Sequence, residues 1–391
     1  MSRRILLFIT DLEIGGTPTV VRELATRLHD PAAGAEIEVG CLAPWGPVAD
    51  QIRAGGIEVT ALGITSRFRI GRAVRKLREL VRERKIDVVF SFLVHANAVA
   101  AKARAAAAGE LQHVRWLQSI QTTQPRPRWH WWVQRRIAPA AEKVVVPSPS
   151  AATVARERAG VPAEKVVVIP NAVDVCHFSA IAAEREAYLS RRHSAERAWH
   201  VGFLGRLDPV KRVEDLIHAI RRLADGSPLT HYQLHVFGDG ALRPKLESLA
   251  RAVLSPQVEY KFHGTVDTPG EALKQMDLLV LPSVAEGFGL VLIEAMATGV
   301  PVVATDVMGI RDVVAHERTG LLVPPCAPQQ LADAIRRMCE DGELRRRMIV
   351  NGCEEVRRRY SWEFVLPEYR KLLGLAPSPA TSRIARAAQH H

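Results

Sequence analysis

Short aliphatic, β-branched runs alternate with helical patterns along almost the whole chain, and this alternation limits the fold more than any other feature. Parallel strands buried under helical crossovers are the arrangement that uses it. Strands are expected at residues 5–10, 36–42, 59–62, 87–92, 113–118, 143–146 and 166–169, with helical stretches such as 20–28 and 71–84 between them. A charged stretch without a strand signal, 180–198, interrupts the pattern. It restarts with expected strands at 201–204, 233–237, 258–262, 278–281, 301–304 and 320–323. The economical reading is α/β, with two doubly wound domains, and 391 residues are too many for one ordinary core. In such domains ligands sit beyond the carboxyl ends of the strands.

Composition excludes several classes. No apolar run approaches the roughly 18 residues that span a bilayer. The opening MSRRILLFITDLEIGG loses its apolar character at Asp11 and shows no small-residue cleavage pattern, so it reads as a first buried strand. Five cysteines with no CxxC pair support neither a disulfide framework nor a zinc site, and suit a reducing compartment, the cytoplasm. The first strand leads to GG-x-P rather than G-x-G-x-x-G, which argues against a nicotinamide dehydrogenase.

The stretch EGFGLVLIEAMATGVPVVATD, residues 286–306, carries the strongest chemical signal. A buried strand ends at Pro282, a turn covers 286–289, and a helix is expected over 290–298. The amides near Gly289 to Val291 are then donors at a positive dipole end, suited to an anion, and Gly287 and Gly289 permit close backbone approach. Eight helical steps would separate Glu286 from Glu294 by about 12 Å, too far to hold one atom but suited to the two ends of a nucleotide sugar. The plainer alternative is a helix start stabilised by acids.

This stretch resembles the E-x7-E signature of family 4 retaining glycosyltransferases, which have the GT-B fold. The resemblance covers most of the chain. It implies that Glu286 lies beside the donor sugar, that Glu294 binds the nucleotide ribose, and that the backbone of Phe288, Gly289 and Leu290 meets sugar or diphosphate. GRLDPVK, 205–211, resembles the segment that carries an Arg and a Lys for the donor diphosphate, here Arg206 and Lys211. Two cations at that place suit a leaving group whose charge grows as the glycosidic bond breaks. ITDLEIGGTPTVVREL, 9–24, places Gly15 and Gly16 in a loop that approaches donor phosphate and acceptor in the family, although Thr17-Pro18-Thr19 replaces the usual polar and charged pair. His95, in FSFLVHANAVA, matches a histidine near donor sugar or acceptor; a cap or core role is the alternative. Asn171 matches an interdomain asparagine and is read as structural first. GDGALRPKLESLA, 238–250, places Gly238 beside the nucleotide base, and GIRDVV, 309–314, borders the donor pocket or caps a helix.

Charge is uneven. Residues 51–150 hold 18 Lys and Arg against 6 Asp and Glu, more than the whole chain's net +11. A local anionic partner follows. Ala73, Val74, Leu77, Leu80 and Val81 form a helical stripe, with Arg72, Arg75, Lys76, Arg78, Arg82 and Lys85 on other faces. RPRWHWWVQRR, 126–136, mixes three tryptophans with four arginines. An anionic membrane surface and a solvated helix with tryptophans in the core both fit. No zinc-finger or RRM signature accompanies the charge, so nucleic acid is not an expected partner.

The resulting expectation is a GT-B enzyme. It comprises an acceptor-side Rossmann-like domain (1–178), a linker (179–198), a donor-binding Rossmann-like domain (199–360), a helix returning to the first domain (361–375) and a flexible tail (376–391). The two domains are expected to face across a cleft. The enzyme would move a sugar from a nucleotide-diphosphate donor to a saccharide or lipid-linked acceptor, in the cytoplasm or at the inner membrane face. No cofactor is expected beyond the donor, and no metal, since no D-x-D triplet occurs. A nucleotide-sugar epimerase and a noncatalytic nucleotide-sugar binding protein are the alternatives.

Overall fold

The computed structural model describes residues 2–64, 69–107, 109–124, 127–195, 198–226 and 231–377. Contacts divide the chain into two units. One takes the chain up to Asn171 and resumes at Glu363; the other runs Ala172–Trp362.

The first unit holds a parallel sheet of seven strands: β1 (Arg3–Ile9), β2 (Ala35–Cys41), β3 (Val59–Ala61), β4 (Val88–Phe92), β5 (Arg115–Ser119), β6 (Lys143–Val146) and β7 (Val166–Val168), in the order β3-β2-β1-β4-β5-β6-β7. Ile5 to Ile9 are fully buried without alternation, as a strand covered on both faces requires. Helix Ile70–Glu83 buries Ala73, Leu77, Leu80 and Val81, with Val74 partly covered beside them, so the expected stripe is its core face. On its outer side Arg78 pairs with Glu110 at 3.0 Å.

The second unit holds six parallel strands: β8 (Ala198–Leu204), β9 (His231–Phe237), β10 (Glu259–Gly264), β11 (Leu278–Leu281), β12 (Val302–Thr305) and β13 (Leu321–Val323), in the order β10-β9-β8-β11-β12-β13. Helices Val213–Gly226 and Pro328–Glu340 pack on each other, burying Leu216, Ile220, Leu331 and Ile335. All thirteen expected strands are present, with ends shifted by a few residues at most.

Residues 179–198, expected to link the halves, fall mostly within helix Val175–Ala195 of the second unit. Arg185 donates from Nε and Nη2 to the Met276 carbonyl at 3.1 and 2.9 Å, and Ile181 lies against Gly270. The stretch is rich in Ala, Glu and Arg and free of Gly and Pro, which favours helix whatever its charge. The break between units falls at Asn171 instead.

Helix Trp362–Leu373 carries the chain back into the first unit. Tyr369 and Leu373 are buried, Tyr369 against Phe90 with ring centroids 6.4 Å apart. Arg3 Nη1 donates to the Leu373 carbonyl at 2.7 Å, and Arg115 Nη1 to that of Leu372 at 3.1 Å. The expected tail lies outside the described residues except for Ala376 and Pro377. Among the described residues no helix is long and apolar enough to cross a membrane.

Candidate functional site

Each sheet reverses its strand order once, between β1 and β4 in the first unit and between β8 and β11 in the second. The loops leaving two such strands diverge and open a crevice at the carboxyl ends, the usual ligand position in this architecture. The residues singled out in the sequence follow β1, β4, β8, β9 and β11 or start the next helix.

In the second unit, the loops after β8 and β11 meet. Lys211 Nζ donates to Glu286 Oε1 at 2.5 Å, and Ser283 Oγ donates to the same oxygen at 2.8 Å. The Lys211 and Glu286 side chains are only 17% and 12% exposed. The pair is therefore little screened by salt, and removing either partner would leave a charge in a poorly solvated place. The Val284 amide donates to the Val210 carbonyl at 2.9 Å, tying the loops by backbone, and Thr305 Oγ1 donates to the Ser283 carbonyl.

Glycines make this closeness possible. A Cβ on Gly309 (φ +85°) would lie 2.3 Å from the Glu286 carbonyl oxygen, and one on Gly238 (φ +123°) 1.9 Å from that of Gly205. Both the left-handed backbone and the missing side chain are needed there. Gly238 thus packs the loop after β9 against the loop after β8.

Gly289 (φ +86°) precedes helix Leu290–Ala297, whose start has no side-chain cap. Its first amides lack intrahelical acceptors and stand at the positive end of the dipole. Phe288 is buried with its ring edge-on to Tyr360 at 5.5 Å, and the Tyr360 hydroxyl donates to the Asp312 carbonyl at 3.1 Å. Its side chain belongs to the core, leaving backbone for any ligand. Leu290 is partly exposed, while Glu294, fifth in the helix, is buried. Arg206 is 68% exposed and pairs with Asp208 at 3.2 Å. The structure thus joins Lys211 to Glu286 and leaves Arg206 outside that pair.

In the first unit, Gly16 opens helix Gly16–Leu28 after an extended Gly15, and a Cβ on Gly16 would meet nothing within 4 Å. Thr19 bonds the Gly15 carbonyl through its amide at 3.1 Å and its hydroxyl at 2.9 Å. After β4, Leu93 takes φ +70°, a costly conformation for a residue with a side chain. It starts helix Val94–Ala106 and sets His95 at its first turn. The imidazole is exposed but ringed by aromatics: Trp129 and His130 lie edge-on at 5.6 and 5.7 Å, and these two are 4.0 Å apart. Desolvation lowers the His95 pKa, with the Asp11 charge acting against it. Desolvation and then His95 lower that of His130. Both rings are held toward the neutral form.

A buried amide network lies beneath, which sequence reading missed. Asn97 Oδ1 accepts from Ser91 Oγ at 2.7 Å, and its Nδ2 donates to the Ser119 carbonyl at 3.0 Å and to Gln134 Oε1 at 3.3 Å. Gln134 Nε2 donates to Gln118 Oε1 at 2.8 Å. Asn171, read as structural, is buried and donates to Gln121 Oε1 at 3.4 Å. The three tryptophans divide: Trp131 is buried, donating from Nε1 to the Gln124 carbonyl at 2.8 Å, whereas Trp129 and Trp132 are about half exposed. Arg126 of that segment lies outside the described residues. Among the described residues no group of three or more His, Cys, Asp or Glu is placed to hold a metal ion.

Two families match this chain: Glycosyltransferase Family 4 over residues 14–176, and Glycosyl transferases group 1 over residues 184–355. The phosphatidyl-myo-inositol mannosyltransferase of Mycolicibacterium smegmatis is 30% identical over 362 residues, 90% of this chain and 88% of that protein. An uncharacterized glycosyltransferase of Methanocaldococcus jannaschii is 32% identical over 211 residues, 53% of each chain. The chain spans only 53% to 59% of the length of several such relatives. HepE of Anabaena, solved in complex with UDP and glucose, superposes with a TM-score of 0.80 at 23% identity, covering 95% of this chain and 99% of that one. That likeness is one of fold: two parallel-sheet α/β domains of the GT-B type.

Proposed function

Since the chain belongs to the group 1 glycosyltransferases of family 4, we propose that it transfers a hexosyl group from a nucleotide-diphosphate sugar to an acceptor hydroxyl with retention of anomeric configuration. The observation that carries this reading is the Lys211–Glu286 pair at the reversal of the second sheet, beside the start of helix Leu290–Ala297.

The roles follow from charge. Breaking the glycosidic bond places growing negative charge on the diphosphate. Lys211, Arg206 and the amides at Gly289 and Leu290 supply positive charge fixed in advance, the arrangement that favours a transition state over a ground state. They also remove the need to invoke a metal ion. Glu286 orients the donor sugar by accepting from its hydroxyls, and in a front-face path the donor phosphate takes the acceptor proton. Glu294 serves the ribose, Gly238 the base, and Gly16 the phosphates through open backbone. His95 serves the reacting sugar or the acceptor.

The names of similar proteins agree with a hexosyl donor: a mannosyltransferase, alpha-D-kanosaminyltransferase of Streptomyces kanamyceticus, and a fold neighbour that holds UDP and glucose. They also suit a saccharide or lipid-linked acceptor, in glycolipid, exopolysaccharide or cell-envelope glycan synthesis. The basic outer face of helix Ile70–Glu83 would then rest on an anionic membrane surface.

The test is a thermal-shift panel of UDP-, GDP- and ADP-sugars, followed by NMR of the anomeric product with the donor that binds. One nucleotide class should stabilise the protein, and the product should keep the donor's anomeric configuration. Isomerised sugar without acceptor would mark an epimerase, and binding without turnover a noncatalytic receptor.

A further inference from the structure

We propose that Trp129, flanked by His130 and His95, is a stacking platform for a pyranose ring of a saccharide acceptor. This rests on the glycosyl-transfer reading and names the chemistry of its acceptor side.

Four tryptophans of the first unit set the contrast. Trp131 is in the core. Trp45 and Trp132 are about half exposed, but guanidinium groups lie over them, Arg53 at 4.5 Å and Arg136 at 4.0 Å. Trp129, 50% exposed, meets two imidazoles instead among the described residues. Leaving that much indole in water forfeits apolar burial, a cost a ligand would recover. The face of an indole is flat and apolar, as is the C–H face of a pyranose, whose hydroxyls project around the rim. Neutral imidazoles offer both a donor and an acceptor to such hydroxyls. Apolar surface with a few convergent polar groups is the usual make-up of a small-molecule site.

Position supports the same reading. His95 follows β4 and Asp11 follows β1, the two strands at the reversal of the first sheet. The platform is also braced. Asn97 lies two residues after His95 and Gln134 five after Trp129, and their buried bond ties the two helices together. Buried amides are costly unless satisfied, and satisfied ones fix a single arrangement. The Asp11 carboxylate near His95 favours a neutral sugar over an anionic lipid headgroup.

Saturation-transfer NMR with methyl α-D-mannopyranoside, methyl α-D-glucopyranoside and methyl β-D-galactopyranoside tests the platform. At least one should show contact through its ring C–H protons. Its affinity should fall about tenfold in Trp129→Ala, about 1.4 kcal/mol, and about threefold or less in Trp129→Phe, which keeps a flat ring. Trp45→Ala, which removes an equally exposed indole, should leave it unchanged. Equal binding by wild type and both Trp129 variants would overturn the proposal, as would quenching of Trp129 by phosphatidylglycerol vesicles with no glycoside contact. Titration of the wild type with UDP, GDP and ADP separates the two readings. Nucleotide binding without glycoside contact removes the platform alone, whereas Trp129-dependent glycoside contact without binding of any nucleotide removes the transfer reading, and with it the acceptor role, and leaves a saccharide site.

Discussion

The two sheets reverse at corresponding places, yet their crevices are furnished differently. At the reversal of the second sheet, charge dominates: a shielded Lys211–Glu286 pair, glycines that let four loops approach in pairs, and an uncapped helix start. At the reversal of the first, exposed His95 and Trp129 meet half-buried His130, both imidazoles are held toward neutrality, and a buried amide network joins the two helices that carry them. One arrangement suits an anion with a growing charge; the other suits an uncharged, hydroxylated molecule. The same topology thus accepts opposite chemistries, and the loops decide which.

The largest expected effect tests this division directly. Glu286→Gln should lower the transfer rate by about 100-fold or more, as loss of a transition-state contact does, while His95→Ala should cost about tenfold. Steady-state rates with a common donor would show it, and a larger loss at His95 would reverse the assignment. Next comes Gly238→Ala, which forces a Cβ into the Gly205 carbonyl. Urea unfolding should show a loss of about 2–3 kcal/mol. Asn97→Ala removes the amide that donates to Gln134 Oε1 and the Ser119 carbonyl and accepts from Ser91, and should cost about 1–3 kcal/mol. Its Trp129 fluorescence should also shift if the bond between the helices holds the rings in place.

Gly16→Ala reads the opposite way from Gly238→Ala. The site is open and helical, so stability should hold or rise by about 0.4–1 kcal/mol, while the KM for donor rises if that backbone meets phosphate. The smallest effect is in pH. A histidine whose folded pKa is lowered takes up its proton first in the unfolded chain, so stability falls as pH drops below about 6.5 and levels off once the folded form protonates too. His95 and His130 act this way in the first unit and His263 in the second. The thermal midpoint should therefore decline between about pH 7 and pH 5.5, less so in His95→Gln. Glu38, whose pKa is raised by burial, acts in the other direction at lower pH.

The strands were legible because a fully covered parallel strand must be apolar throughout. Ile5 to Ile9 and Leu278 to Leu281 leave little choice. The residues proposed to serve the donor stood out in the sequence because those of one stretch lie close together, as Glu286 and Glu294 do. The platform was not, since His95 and Trp129 are remote in sequence and only the fold joins them. Nor was the amide network: Asn97 and Gln134 each look like ordinary polar residues on a helix until their shared burial is seen. Helix Val175–Ala195 was missed because its charges read as solvated linker, although its composition favours helix. The burial of Phe288 was equally invisible, since Tyr360, its partner, is far along the chain.

The route of the backbone has a consequence for biosynthesis. The helix that closes the first unit is translated only after the second unit. Until Leu372 and Leu373 arrive, Arg115 and Arg3 lack the carbonyls they bond, and Phe90 lacks its Tyr369 neighbour. The half whose synthesis begins first therefore waits for its closing helix, and a released chain truncated after Trp362 would carry all of the second unit and an unsealed first one.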